Sequence, residues 1–94
     1  MNECENIWNR IVANSNQIVL KTKRGLQLKY EVRDKKVFWI PMEDTMNTLF
    51  PQSDTEICNC LMNRRLNLNP SEYGGTATSY KWALLNHPSI WIAD

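Results

Sequence analysis

Leu26-Gln27-Leu28-Lys29-Tyr30-Glu31-Val32-Arg33-Asp34-Lys35-Lys36-Val37-Phe38-Trp39-Ile40-Pro41 is the stretch that decides the fold. Leu26, Leu28, Tyr30 and Val32 alternate strictly with Gln27, Lys29, Glu31 and Arg33. Successive side chains of a strand point to opposite faces, so this pattern predicts a strand with one buried and one wet face. Asp34-Lys35-Lys36 predicts a turn, and Val37–Ile40 a third strand closed by Pro41. Upstream, Ile18, Leu20 and Thr22 alternate with Val19, Lys21 and Lys23, and Arg24-Gly25 predicts the tight turn into the central strand. The three segments form an antiparallel meander.

A Leu/Leu/Tyr/Val face must be covered, and the flanking sequence supplies helices to do so. Cys4, Ile7, Trp8 and Ile11 follow i, i+3, i+4, i+7 spacing with Val12 widening the stripe, which predicts a helix over 3–13. Asn2 is placed to cap it, Glu3 and Glu5 suit its positive end, and Asn14-Ser15-Asn16 ends it. Met42 to Leu49 predicts a short helix before Pro51. Ser53-Asp54-Thr55-Glu56 is a capping-box pattern that starts a helix running to Arg65, with Ile57, Leu61 and Met62 inward. Asn67–Thr76 reads as a loop. Ser79 is the expected cap of a last helix, Tyr80–Leu85, stopped by Asn86-His87-Pro88. Ser89–Ile92 ends the chain as a short strand or packed tail. The expected fold is therefore a single compact α+β domain over 1–94: a three-stranded antiparallel meander, with or without a C-terminal strand, packed on one face by short helices.

Composition agrees with a folded domain. The chain has 94 residues, 43 % of them hydrophobic, with four Trp, three Tyr and two Phe. That length buries roughly 60–70 % of its unfolded surface, enough for one modest core. No apolar run approaches the length of a membrane span, and the N-terminal residues lack the basic and apolar regions of a signal peptide. The cysteines, Cys4, Cys58 and Cys60, are odd in number, and two are a single residue apart. They read as reduced, partly buried thiols, and the expected location is cytoplasmic. One C-x-C and the single His87 fall short of a zinc ligand set, so no metal and no cofactor is expected.

Charge carries the functional expectation. Seven of the eleven basic residues, Lys21, Lys23, Arg24, Lys29, Arg33, Lys35 and Lys36, lie within residues 21–36. With Glu31 and Asp34 that segment is +5, whereas residues 37–63 hold four acids and no Lys or Arg, a charge of −4. The overall charge of +1 thus hides a bipolar molecule. Cations at regular intervals on the wet face of a sheet match a phosphate backbone and release its counterions. A Lys-rich solvated edge that prevents strand pairing is the plain alternative.

Other candidates are weaker. His87 has no nucleophile marked for it by local pattern, so no enzyme activity is expected, and capping the last helix is its expected role. Tyr73-Gly74-Gly75-Thr76 lacks the spacing of a phosphate loop. Glu43 and Asp44 are adjacent and face apart on a helix, which suits a helix start better than an acid/base pair. Trp8, Trp39, Trp82 and Trp91 read as core packing rather than as a base-stacking surface, while strand alternation can put either Phe38 or Trp39 outward. Trp39 and Trp91 are the candidate partner contacts, Trp91 with Ile92 as the surface of a homo-oligomer.

Ser79-Tyr80-Lys81-Trp82-Ala83-Leu84-Leu85-Asn86-His87-Pro88-Ser89-Ile90 resembles the ending of a group of short uncharacterised bacterial proteins with a Ser-Tyr-x-Trp-Ala-Ile-Leu-x-Asp-Pro-Arg-Ile pattern. Tyr30-Glu31-Val32 is similar to a Tyr-x-Val strand in that group. His87 and Ser89 replace the group's Asp and Arg, so a contact made by that pair does not carry over. The resemblance implies a compact bacterial-type α+β domain and no activity. The expected function is a non-catalytic nucleic-acid-binding module. The alternative is a small protein-binding regulator or inhibitor, of phage or mobile-element type, acting on a host enzyme, to which the acidic stretch points.

Overall fold

The computed structural model describes residues 3–42, 51–75 and 77–91. Its strands are β1 (Leu20–Lys21), β2 (Gln27–Arg33), β3 (Lys36–Pro41) and β4 (Gln52–Ser53), and its helices α1 (Glu3–Ala13), α2 (Asp54–Cys58), α3 (Leu61–Arg65) and α4 (Thr78–Leu85). The strands form one antiparallel sheet in the order β1-β2-β3-β4. The fold is α+β, with the meander as expected and one change. The fourth strand is Gln52–Ser53 beside Lys36 and Val37, not the C-terminus. Residues 88–90 turn instead, with Ile90 fully buried as a packed tail. The helix expected over 42–49, with Glu43 and Asp44, falls almost entirely outside the described residues.

Register follows from which face must be dry. Tyr30 pairs with Trp39, Val32 with Val37, and Leu28 with both Leu20 and Pro41. These residues line the inner face, where Leu20, Leu28, Tyr30 and Val37 are fully buried. Ile7 and Ile11 of α1, Ile57 of α2 and Leu84 and Leu85 of α4 join them in one core. The Tyr30 hydroxyl donates to the Ile11 carbonyl at 2.7 Å. That carbonyl lies in the last turn of α1, where no further helical N–H follows, so the sheet caps the helix that covers it.

Turns are made by residues that tolerate their backbone. Gly25, at φ +95°, lets Thr22–Gly25 close with Gly25 N donating to Thr22 O at 2.9 Å. Thr22 Oγ1 accepts from Leu26 N at 3.1 Å and is buried beneath the turn. Asp34 and Lys35 both have positive φ, the requirement of a two-residue hairpin turn whose twist matches its strands.

Four helical expectations change. Val12 is exposed, so the buried stripe of α1 is narrower than its sequence pattern. The capping box forms, Ser53 Oγ accepting from Glu56 N at 3.2 Å, but the helix breaks at Asn59–Cys60 into α2 and α3. Asn competes for backbone hydrogen bonds in a helix interior, and the break rotates the following turn. Cys60 and Leu61 then face the core while Met62 is 56 % exposed. Ser79 does not cap α4: the cap position is Ala77, at φ 53° and ψ 39°.

The cysteines also differ from expectation. Cys4 of α1 and Cys58 of α2 are joined in a disulfide, with Cα atoms 5.5 Å apart, and Cys60 is a buried free thiol. Cys58 and Cys60 are indeed not paired with each other. The distant Cys4 is brought to Cys58 by packing of α1 on α2, and the cysteines no longer argue for a reducing compartment. Arg65 at the end of α3 pairs with Glu3 at the start of α1, joining complementary helix ends. No helix among the described residues is long and apolar enough to cross a membrane.

Candidate nucleic-acid interface

Because inner-face residues alternate with outer-face ones, the same register fixes the outer surface. It carries cross-strand rows: Lys21 beside Gln27, Lys29 beside Ile40, Glu31 beside Phe38, and Arg33 beside Lys36 and Ser53. Met42 extends the first row, its N–H donating to Gln27 O at 3.1 Å. Neighbouring strands are about 4.8 Å apart and same-face residues on a strand about 6.8 Å apart. Lys21, Lys29, Arg33 and Lys36 thus form a ladder with Glu31 set into it.

The seven basic residues divide into three groups. Lys21, Lys29 and Lys36 stand on the outer face with no carboxylate partner among the described residues. Arg33 is engaged: its Nε lies 3.2 Å from Glu31 Oε2, and its guanidinium covers the Phe38 ring at 4.6 Å. Both charges of that pair are substantially exposed, so water and salt screen it and Arg33 can exchange partners. Lys23, Arg24 and Lys35 sit at turns, and Lys23 Nζ donates to Asn69 Oδ1 across to the loop before α4.

Of the two aromatics that alternation could turn outward, Trp39, the candidate partner contact, is the buried one. Trp39 is on the inner face, 6 % exposed, with its ring centroid 5.7 Å from that of Tyr80. It is core, and the outward aromatic is Phe38. Ile40, 42 % exposed, and Met42, 55 % exposed, continue from Phe38 along the outside of the sheet. Phe38, Ile40 and Met42 make an apolar column on the β3 side, parallel to the Gln27–Lys29–Glu31–Arg33 column of β2. Sequence reading missed this column, because Val37–Ile40 is apolar throughout and shows no alternation. Trp91 is half-buried with the Arg64 guanidinium 5.0 Å from its ring, and so is already in an intramolecular contact.

A second group of polar side chains lies within the helical layer and carries no sequence signature. Lys81, on α4, is 2 % exposed and donates to the Gly74 carbonyl at 2.6 Å. Its ammonium also acts electrostatically on the Cys60 thiol. A Cβ on Gly75 would come within 3.2 Å of Lys81 Nζ, so Gly75 lets the loop close over the lysine. Burial pushes the Cys60 thiol up despite the lysine, so it is protonated at neutral pH and a poor nucleophile. The buried Tyr73 hydroxyl faces Asn86 without a well-formed hydrogen bond, the Asn86 Nδ2 being given to Trp82 O at 2.8 Å. The arrangement fastens the Gly74–Gly75 loop to α4.

His87 does not cap α4 through its side chain. Its Nδ1 accepts from Ser89 N at 3.1 Å, and burial lowers its pKa. The end of α4 is instead satisfied by Asn86, which bonds Trp82 O, and by Arg64 Nε, which donates to Leu85 O at 3.1 Å. Among the described residues no cluster of three His, Cys, Asp or Glu side chains is arranged to hold a metal ion. No protein-family model, curated protein or solved structure matches the chain.

Proposed function

We propose that this protein is a non-catalytic nucleic-acid-binding module whose working surface is the outer face of the sheet. The observation that carries the reading is the ladder of Lys21, Lys29, Arg33 and Lys36 on one face, with three of the four free of carboxylates among the described residues. A rigid sheet presents these groups at fixed intervals, so little ordering of the backbone is required on binding. Arg24 and Lys35 at the turns extend the positive surface, and Lys23 joins it by releasing Asn69. The bound ligand is held through its phosphates, and each lysine–phosphate contact displaces a condensed counterion.

The test is fluorescence anisotropy with labelled DNA and RNA at about 50 and 200 mM salt. Binding should weaken steeply over that range, and Lys29→Glu or Lys36→Glu should weaken it further. Removing one lysine contact should reduce the slope of log K against log salt by about 1. Binding that ignores both salt and these substitutions would refute the reading.

The second reading is a protein-binding regulator or inhibitor. The outward Phe38–Ile40–Met42 column, with Ile40 and Met42 exposed and Phe38 half-buried, favours it, since apolar side chains on a wet face suit a protein partner. It predicts no nucleic-acid affinity and a stable stoichiometric complex lost on Ile40→Asp. Homo-oligomerisation through Trp91 is the third reading, and a solution mass above 11.0 kDa would support it.

A further inference from the structure

Resting on the nucleic-acid reading, we infer that the ligand is a single strand, with its bases on the Phe38–Ile40–Met42 column and its phosphates along Lys21, Lys29, Arg33 and Lys36. Three observations carry this. The first is the apolar column itself, which the core does not need: the inner face already holds Tyr30, Trp39, Val37 and Leu28 in buried positions. A phosphate-only surface gains nothing from Phe38, Ile40 and Met42, and a duplex laid on it would set charged oxygens against them. Unpaired bases present apolar π-faces instead, and these stack on aromatic side chains.

The second observation is the flanking of the β2–β3 ribbon. Two-stranded ribbons read duplex DNA by entering the major groove, about 12 Å wide. Here β2 is bordered by β1 and by the 14–17 turn, where Asn16 N donates to Tyr30 O and Ser15 Oγ accepts from Val32 N, both at 2.9 Å. On the other side β4 borders β3 at Lys36 and Val37. The ribbon is therefore part of a wider surface rather than a free two-stranded arm, a shape that suits a groove poorly.

The third is the placement of Arg33. Its guanidinium already lies over Phe38, 4.6 Å from the ring centroid, next to the screened Glu31 carboxylate. An incoming base can take the place of the guanidinium on the ring, or stack on its planar outer face, while a phosphate replaces Glu31 as its ionic partner. On β2 the cations Lys29 and Arg33 are about 13.6 Å apart with Glu31 between them, and the β3 column headed by Lys36, with Phe38, Ile40 and Met42 at about 6.8 Å intervals, lies one strand away, about 4.8 Å, so an extended strand can follow both together.

The experiment is anisotropy with labelled oligo(dT) of about twelve nucleotides and with a duplex of equal length, at about 50 mM salt. The single strand should bind at least roughly tenfold tighter than the duplex. Phe38→Ala should weaken the single-strand complex roughly 5- to 150-fold, the equivalent of one lost base stack, and leave duplex binding unchanged. Ile40→Thr, at an exposed strand position, should weaken it in the same direction and keeps the test available if Phe38→Ala fails to fold. Equal affinity for the two ligands, or single-strand binding indifferent to folded Phe38→Ala and Ile40→Thr, overturns the inference. If such binding remains salt-dependent and sensitive to Lys29→Glu, the broader reading survives. Absence of salt-dependent binding to either ligand overturns both.

Discussion

Reduction of the Cys4–Cys58 bridge should lower stability by about 4 kcal/mol if the bridge acts by constraining the unfolded chain. The two cysteines are 54 residues apart in sequence, so the bond closes more than half of the protein into a loop. Loop-closure entropy gives about 3 kcal/mol for a 15-residue loop and about 4.7 kcal/mol for a 100-residue one, and this loop falls between. A small domain has only about 5–15 kcal/mol in total. The reduced protein should therefore be folded but marginal. Urea unfolding with and without reductant measures the difference. With a slope of about 1–3 kcal/mol per molar urea, the midpoint should drop by at least about 1 M on reduction. The double variant Cys4→Ala/Cys58→Ala should unfold at a similarly low midpoint and should be insensitive to reductant. A thiol count on the unreduced, denatured protein should find one group, Cys60. Three thiols, or a midpoint that reductant leaves in place, would refute both the pairing and the packing of α1 on α2 that it implies.

Tyr30→Phe removes the hydroxyl that caps the last turn of α1 and should cost about 1–2 kcal/mol, seen as a fall in Tm of roughly 5–15 °C; an unchanged Tm would mean the Ile11 carbonyl finds another donor. Lys35→Gly relieves a non-glycine residue of its positive φ in the β2–β3 turn and should add about 0.5–1 kcal/mol in a thermal melt. The same substitution should lower nucleic-acid affinity slightly by removing one cation, so the two effects separate in one variant. His87, whose pKa is lowered in the folded state, should make stability pH-dependent. Above about pH 6.5 the ring is neutral in both states and its contribution is complete; as pH falls through the lowered native pKa, the unfolded chain binds the proton first and stability declines. The urea midpoint should be lower at about pH 5 than at about pH 7.5, and His87→Asn should flatten the difference; an equal difference in the variant would remove His87 as the cause.

What could be read from the sequence follows the physics of periodicity. β2 was legible because one of its faces is dry and the other wet, and α1 because Ile7 and Ile11 meet the core on one stripe. Ser53–Glu56 was legible because capping is local chemistry. The break at Asn59–Cys60 was not, since Ile57 and Leu61 satisfy a helical stripe whether or not the helix continues. The Cys4–Cys58 pair was hidden for a different reason: its geometry exists only after α1 meets α2. Lys81 was hidden because a lysine is normally taken as surface, and it is the hydrogen bond to the Gly74 carbonyl that makes its burial tolerable.

The candidate site was half legible for the same reason. Charge clustering is a property of the sequence and pointed to residues 21–36 directly. The apolar half is a property of register. An all-apolar run such as Val37–Ile40 does not state which of its residues faces water. That is decided by Tyr30, which must face inward to reach the Ile11 carbonyl and which pairs with Trp39. Fixing Trp39 inside forces Phe38 and Ile40 outside, beside Glu31 and Lys29. The hydroxyl that caps α1 and the aromatic on the outer face are thus set by one register choice. A one-residue slip between β2 and β3 would bury Phe38, expose Trp39 and carry the apolar column off the basic face.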